Sequence, residues 1–189
     1  MDKKKIENAV KMLLEAIGEN PERPGIKKTP ERYSRLCEEI FAGIDTKAGG
    51  ILKPLPSEYC QDLVIVKDIP FYSMCEHHLM PFFGKVHVAY LPSKVVSGIS
   101  KFPRIIDIFS KRLQVQERMT SQISDMIQKE LKPKGVMVVV EAKHLCMSMR
   151  GVKKEGNSVV TISAKGTFNN SGKQAEILSI IKSVKTVNG

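Results

Sequence analysis

Two short stretches hold side chains that could do chemistry together. YSMCEHHLMPFFG, residues 72–84, carries Cys75, Glu76, His77 and His78, and HLCMSMRG, residues 144–151, adds His144, Cys146 and Arg150. Thiolates and imidazoles are the ligands of borderline-soft cations such as zinc. Cys75 and His78 stand three apart, a spacing that closes a chelate within one turn. One histidine is enough for that, so the neighbouring His77 is left for another task. His144 and Cys146 stand two apart on an expected strand. Alternate strand positions face one side, so both are expected to point into the same space. Spacing alone leaves the metal reading open. In a closed structural site His144 would be the fourth ligand. In an open catalytic site Cys75, His78 and Cys146 hold the ion and leave a fourth position for water. The plainest alternative is a set of buried residues with no metal.

A second set of residues could meet an anion. SKFPRIIDIFSKRLQVQER, residues 100–118, holds Lys101, Arg104, Lys111, Arg112 and Arg118 against Asp107 and Glu117. Ser100, Lys101 and Arg104 stand just before and within the first turns of an expected helix, where free backbone N–H groups and the helix dipole favour negative charge. Arg150 follows the second metal pair, and a guanidinium binds phosphate oxygens in pairs. The plain alternative is a solvated basic face. The Glu117 carboxylate could accept two parallel N–H bonds from the edge of a guanine, or pair with Arg112 or Arg118 on the surface. His87, in KVHVAY, is expected to be a strand histidine that is either satisfied by a partner or exposed. Cys37 falls at helical spacing with Tyr33, Leu36, Ile40 and Phe41 and is expected in the core. No role is assigned to Cys60.

The elements that must position these residues follow from periodicity and punctuation. Residues 3–18 read as an amphipathic helix with Ile6, Val10, Leu13, Leu14 and Ile17 on one face. TPERYSRLCEEIFAG opens a second helix, with Thr29 as the expected N-cap, Pro30 at the first helical position and Gly43 as the stop. Residues 1–45 are thus expected to form a helical arm. Residues 46–57, rich in Gly and Pro and without periodicity, would link it to a body over 58–189. In the body, DLVIVKDI, KVHVAYLP, GVMVVVEAKHLCM and SVVTISAKGTF read as strands. FPRIIDIFSKR and QERMTSQISDMIQKEL read as helices. Ser171 with Gln174 reads as a capping box for a last helix through Ile177, Leu178 and Ile181. Strand pairs interrupted by paired helices predict an α+β fold with a largely antiparallel sheet.

Composition narrows the class. The 189 residues fit one domain with a small helical appendage. Hydrophobic residues make up 42% and charged residues 26%, an ordinary globular balance. No run approaches the roughly 18 apolar residues of a membrane span. MDKKKIENAV lacks the apolar stretch of a secretion signal, so a cytoplasmic protein without a membrane partner is expected. There the four cysteines are expected as thiols. The net charge of +10 favours nucleic acid, an acidic surface or a phosphorylated small molecule. A zinc-stabilised nucleic-acid-binding module is therefore the reading from a different class.

The longest stretches carry a resemblance. SMCEHHLMPFFGKVHVAYLP, GISKFPRIIDIFSKRLQVQERMTSQI and HLCMSMRGV closely resemble the motifs of the GTP cyclohydrolase I family, and RPGIKKTPER is similar to that family's entry into its second helix. The resemblance covers most of residues 20–184. It implies the tunnelling fold, a four-stranded antiparallel sheet with two helices on one face. It implies subunits joined sheet to sheet into rings, usually a homodecamer, with active sites between subunits and no nucleic-acid partner. The implied reaction converts GTP and water to 7,8-dihydroneopterin triphosphate and formate, the first step of pterin and tetrahydrofolate synthesis. The resemblance makes Cys75, His78 and Cys146 zinc ligands and His77 and His144 proton-transfer groups. It puts Gln116 and Glu117 on the guanine, and Ser100, Lys101, Arg104 and Arg150 around the ribose and triphosphate. Arg32 would reach a neighbouring subunit's triphosphate. The paired soft ligands argue against a relative on the same fold, a nitrile reductase that uses a nucleophilic cysteine and NADPH.

Overall fold

The computed structural model describes residues 1–56, 62–154 and 156–183, so Cys60 lies outside the described residues. Four strands form an antiparallel sheet: β2 (Val64–Cys75), β3 (Pro81–Leu91), β6 (Gly135–His144) and β7 (Val159–Gly166), adjacent in that order. The two-residue β5 (Leu113–Gln114) runs parallel beside the end of β2. Helices α3 (Lys101–Ser110) and α4 (Gln116–Leu131) cover one face. The α+β architecture expected from the sequence is the one observed.

Alternation decides which residues meet the helices. Val86, Val88 and Tyr90 of β3 and Val136, Val138 and Val140 of β6 pack with Phe102, Ile105 and Ile106 of α3. Met119, Ile123, Ile127 and Leu131 repeat every four residues on α4 and face the same core. Burying each such side chain stabilises the fold by about 1.5–3 kcal/mol. A polar seam completes the packing, with Thr120 and Thr161 hydroxyls 2.6 Å apart and those of Ser124 and Ser163 2.7 Å apart. On the other sheet face Ala89, Met137 and Val139 meet Phe168, Ile177 and Ile181, the last two from α6 (Ser171–Ser183). That helix is capped by Asn170 rather than by the expected Ser171: its side-chain oxygen accepts from the Lys173 N–H at 3.2 Å.

Strand β2 runs six residues past the expected DLVIVKDI. A bulge between Val66 and Ile69, with Asp68 at φ 59°, resets the alternation. Phe71, Ser73 and Cys75 therefore point inward and carry the strand up to the metal motif. The bulge also explains His87, which is 4% exposed and accepts the Asp68 N–H at its Nδ1 atom, 3.1 Å away. Its Nδ1 thus has a partner within the sheet, while its buried Nε2 has none among the described residues.

The arm is a hairpin of α1 (Lys3–Ala16) and α2 (Thr29–Ile40). α1 stops short of residue 18 because Gly18 takes a left-handed φ of 84°. α2 includes Thr29, so Lys28 and not Thr29 occupies the N-cap position. Cys37 is buried, as its spacing predicts. Gly43 does more than follow a helix. A Cβ there would lie 2.2 Å from the Ile108 carbonyl oxygen, and its N–H donates to Lys111 at 2.9 Å. The segment that follows is pinned as well. Leu52 is fully buried in the main core, the Gly50 N–H donates to Glu130 at 3.0 Å, and β1 (Leu55–Pro56) pairs with β4 (Val95–Val96).

Candidate active site

The metal motif sits on a hairpin turn. β2 ends at Cys75 and β3 begins at Pro81; between them the Leu79 N–H donates to Cys75 at 2.9 Å and the Cys75 N–H to Met80 at 2.8 Å. Leu79 closes the turn at a left-handed φ of 51°. The second cysteine arrives by a different device from the one expected. β6 ends at His144, and residues Leu145–Ser148 form a single helical turn, α5. Cys146 is thus not an alternate strand position. The chain coils back over the strand end, and that turn brings its thiol to Cys75.

The donor atoms of Cys75, His78 and Cys146 all lie within 4.8 Å of one another, so these three could hold a metal ion. The Cys75 Sγ to His78 Nδ1 distance is 3.7 Å. Sulfur at 2.3 Å and nitrogen at 2.1 Å from one tetrahedral ion would be separated by about 3.6 Å. The donor set and its spacing therefore fit zinc. Among the described residues His144 is not part of this mutually close group. Burial raises the Cys146 thiol pKa, nearby Cys75 adds to the rise, and the Arg150 charge opposes it.

His144 lies beside the cluster in one cavity of about 260 Å³, lined also by Cys75, His77, His78, Gln116, Glu117 and Cys146. Phe82 stacks flat on its ring. Burial lowers the His144 pKa, and the Glu117 charge pulls the other way. The His77 and His78 rings stand nearly perpendicular, at 83°. Glu117 is exposed at the start of α4. Neither suggested surface partner is spent on it: Arg118 bonds Glu76 and Gln114, and Arg112 bonds the carbonyls of Ile108 and Gly43.

Gln116, expected on a guanine, lines the same cavity. The residue is 1% exposed and its side chain is engaged within the chain, by the Val140 and Val159 carbonyls and by His144. Lys101 and Arg104 line a different groove of about 480 Å³, with Gly50, Lys53 and Asp107. Ser100 precedes α3 beside them. Arg150 is exposed after α5, and Arg32 is exposed on α2, outside the lining of both cavities. Two groups escaped the sequence analysis. Phe82 in MPFFG carried no flag, since only strand register sets it opposite His144. The Glu76–Arg118 pair joins residues 42 apart, beyond any local pattern.

An antiparallel sheet with two helices on one face, ending in a three-donor cluster beside a spare imidazole, makes an α+β protein with a candidate metal centre, consistent with the tunnelling fold that the resemblance implies. Comparison with known proteins narrows this. The family profile described as GTP cyclohydrolase I matches residues 6–182. The GTP cyclohydrolase 1 of Clostridium kluyveri is 55% identical over 170 residues, covering 90% of this chain and 92% of that one. Those of Carboxydothermus hydrogenoformans and Thermoanaerobacter pseudethanolicus are each 52% identical, covering 96% and 98% of this chain and 95% and 100% of theirs. The chain belongs to the GTP cyclohydrolase I family. No described helix is long and apolar enough to cross a membrane.

Proposed function

We propose that the chain is a cytoplasmic, zinc-dependent GTP cyclohydrolase. It opens the imidazole ring of GTP at C8, releases formate and forms 7,8-dihydroneopterin triphosphate. The observation that carries the reading is one cavity holding three soft ligands, a spare histidine and an exposed carboxylate at a helix start. Cys75, His78 and Cys146 would hold the zinc. Bound there, it would lower the pKa of a water from about 15.7 to about 7 and so supply a nucleophile at neutral pH.

The chain's own residues do the rest. His144 donates a proton to guanine N7, which draws electron density from C8 and opens it to attack. His77, exposed at the rim, moves protons to and from solvent in the later hydrolysis and rearrangement. Glu117 accepts the N1–H and 2-amino protons of guanine. The exposed Arg150 guanidinium, whose charge reaches Cys146, meets phosphate oxygens. Ser100, Lys101 and Arg104 lie over a separate groove in the same chain. That separation supports an active site built between subunits, in which a neighbour's α3 supplies the groups for the triphosphate and Arg32 reaches across from α2. The assembly is a homodecamer. The arm of residues 1–45 and the linker of 46–57 precede the catalytic body of 58–189.

The test is direct. Zinc-loaded protein incubated with GTP should release one formate per GTP and build up a fluorescent pterin after oxidation. Full zinc occupancy with no formate would overturn the reading.

A further inference from the structure

The hydrogen bonds around Gln116 decide more than its own position. Its amide nitrogen lies 3.1 Å from the Val140 carbonyl oxygen, 3.0 Å from that of Val159 and 3.1 Å from the Thr161 hydroxyl. Carbonyl oxygens only accept, so the NH₂ end must face the two strands. This fixes the amide orientation by its network. The Gln116 Oε1 atom is then left facing His144 Nε2 at 2.7 Å. An amide oxygen also only accepts. His144 must therefore carry a proton on Nε2, and the atom left to work in the cavity is Nδ1.

Stacking cannot make that choice. Phe82 lies 4.6 Å from the His144 ring centre with planes 4° apart, which holds the ring plane but permits a half-turn within it. Such a flip would exchange Nε2 for a carbon and leave the buried Gln116 oxygen without its donor, at a cost. We propose that Gln116 is a positioning residue that accepts from His144 Nε2–H and so fixes which way the ring is flipped, leaving Nδ1 to face the guanine and, once protonated, to give its proton to N7. This rests on the proposed reaction and deepens it. Gln116 acts through the histidine and not on the base.

The experiment uses zinc-loaded wild type and Gln116→Met, which keeps the length and removes both polar ends. The variant should keep its zinc and bind GTP within about threefold of wild type. Its single-turnover ring opening should fall roughly 10²-fold, the lower end of what a positioned general acid contributes. Unchanged ring opening, or a loss lying wholly in GTP affinity, would overturn the proposal. A second readout needs no stable variant. Solid-state ¹⁵N NMR of histidine-labelled wild type, assigned against His144→Gln, should find neutral His144 protonated at Nε2. Protonation at Nδ1 would overturn the proposal whatever the variant does. If wild type made no formate, the reaction assignment would fall, while the spectrum would still judge the lock.

Discussion

Phe82 and His144 are register partners across β3 and β6, and their rings lie face to face with centroids 4.6 Å apart. A fully buried aromatic ring thus forms one wall of the imidazole's slot. Phe82→Leu keeps an apolar group but removes the flat wall. It should cost about 0.5–1.5 kcal/mol in urea unfolding, the worth of an aromatic pair beyond burial. Ring opening should fall roughly 10- to 100-fold, because small displacements at a reacting centre are costly. Zinc content measured alongside should not change.

Arg118 ties the metal turn to the start of α4. It donates to the Glu76 carboxylate, to Gln114 Oε1 at 3.0 Å and to the Leu113 carbonyl at 3.3 Å, while the Glu76 N–H donates to Gln114 at 3.1 Å. The Arg118 hydrogen bond holds the Glu76 carboxyl below its ordinary pKa. Arg118→Ala should weaken zinc binding about 10- to 100-fold, the usual effect of losing an outer support of a metal site. Competition with a chelator measures it. Arg118→Lys restores the charge without the fork and should recover only part of the loss.

Glu117 separates guanine from its analogues. Glu117→Ala should raise the KM for GTP roughly 10- to 150-fold, the range for a hydrogen bond to a charged group, with zinc affinity unaffected. Wild type should prefer GTP to ITP, which lacks the 2-amino group, and the variant should lose most of that preference. Steady-state assays with both nucleotides check it.

His87 predicts a pH effect on stability. Burial lowers its pKa, with Lys67 and Lys85 acting the same way and Asp68 and Glu141 opposing. The unfolded chain, with histidine near 6.5, then binds the proton more readily than the folded one. Stability from this group is complete above that value and lost as pH falls through the folded pKa. Thermal unfolding between about pH 7.5 and 5 should give a steeper fall for wild type than for His87→Gln; equal slopes would count against it.

Much of this was legible in the residues. Cys75, His78 and Cys146 stand out because thiols and imidazoles are rare and costly to place by chance. The Met119, Ile123, Ile127, Leu131 repeat announces α4. Pairings across distant strands were not legible. The bulge at Asp68 breaks the alternation from which the end of β2 would have been read. Strand logic paired His144 with Cys146 correctly in space but for the wrong reason, since a helical turn does the work. Gln116 looked like a ligand contact. Its partners, the carbonyls of Val140 and Val159, belong to strands 24 and 43 residues away and leave no mark in its own neighbourhood.

The central claim is a cation held by three protein ligands with His144 held apart from it by Gln116. X-ray absorption on the zinc-loaded protein tests it most directly. The account predicts two sulfur scatterers near 2.3 Å, one imidazole and one light oxygen ligand. Two sulfurs with two imidazoles, and no oxygen, would mean that a second histidine closes the site, and would contradict the account.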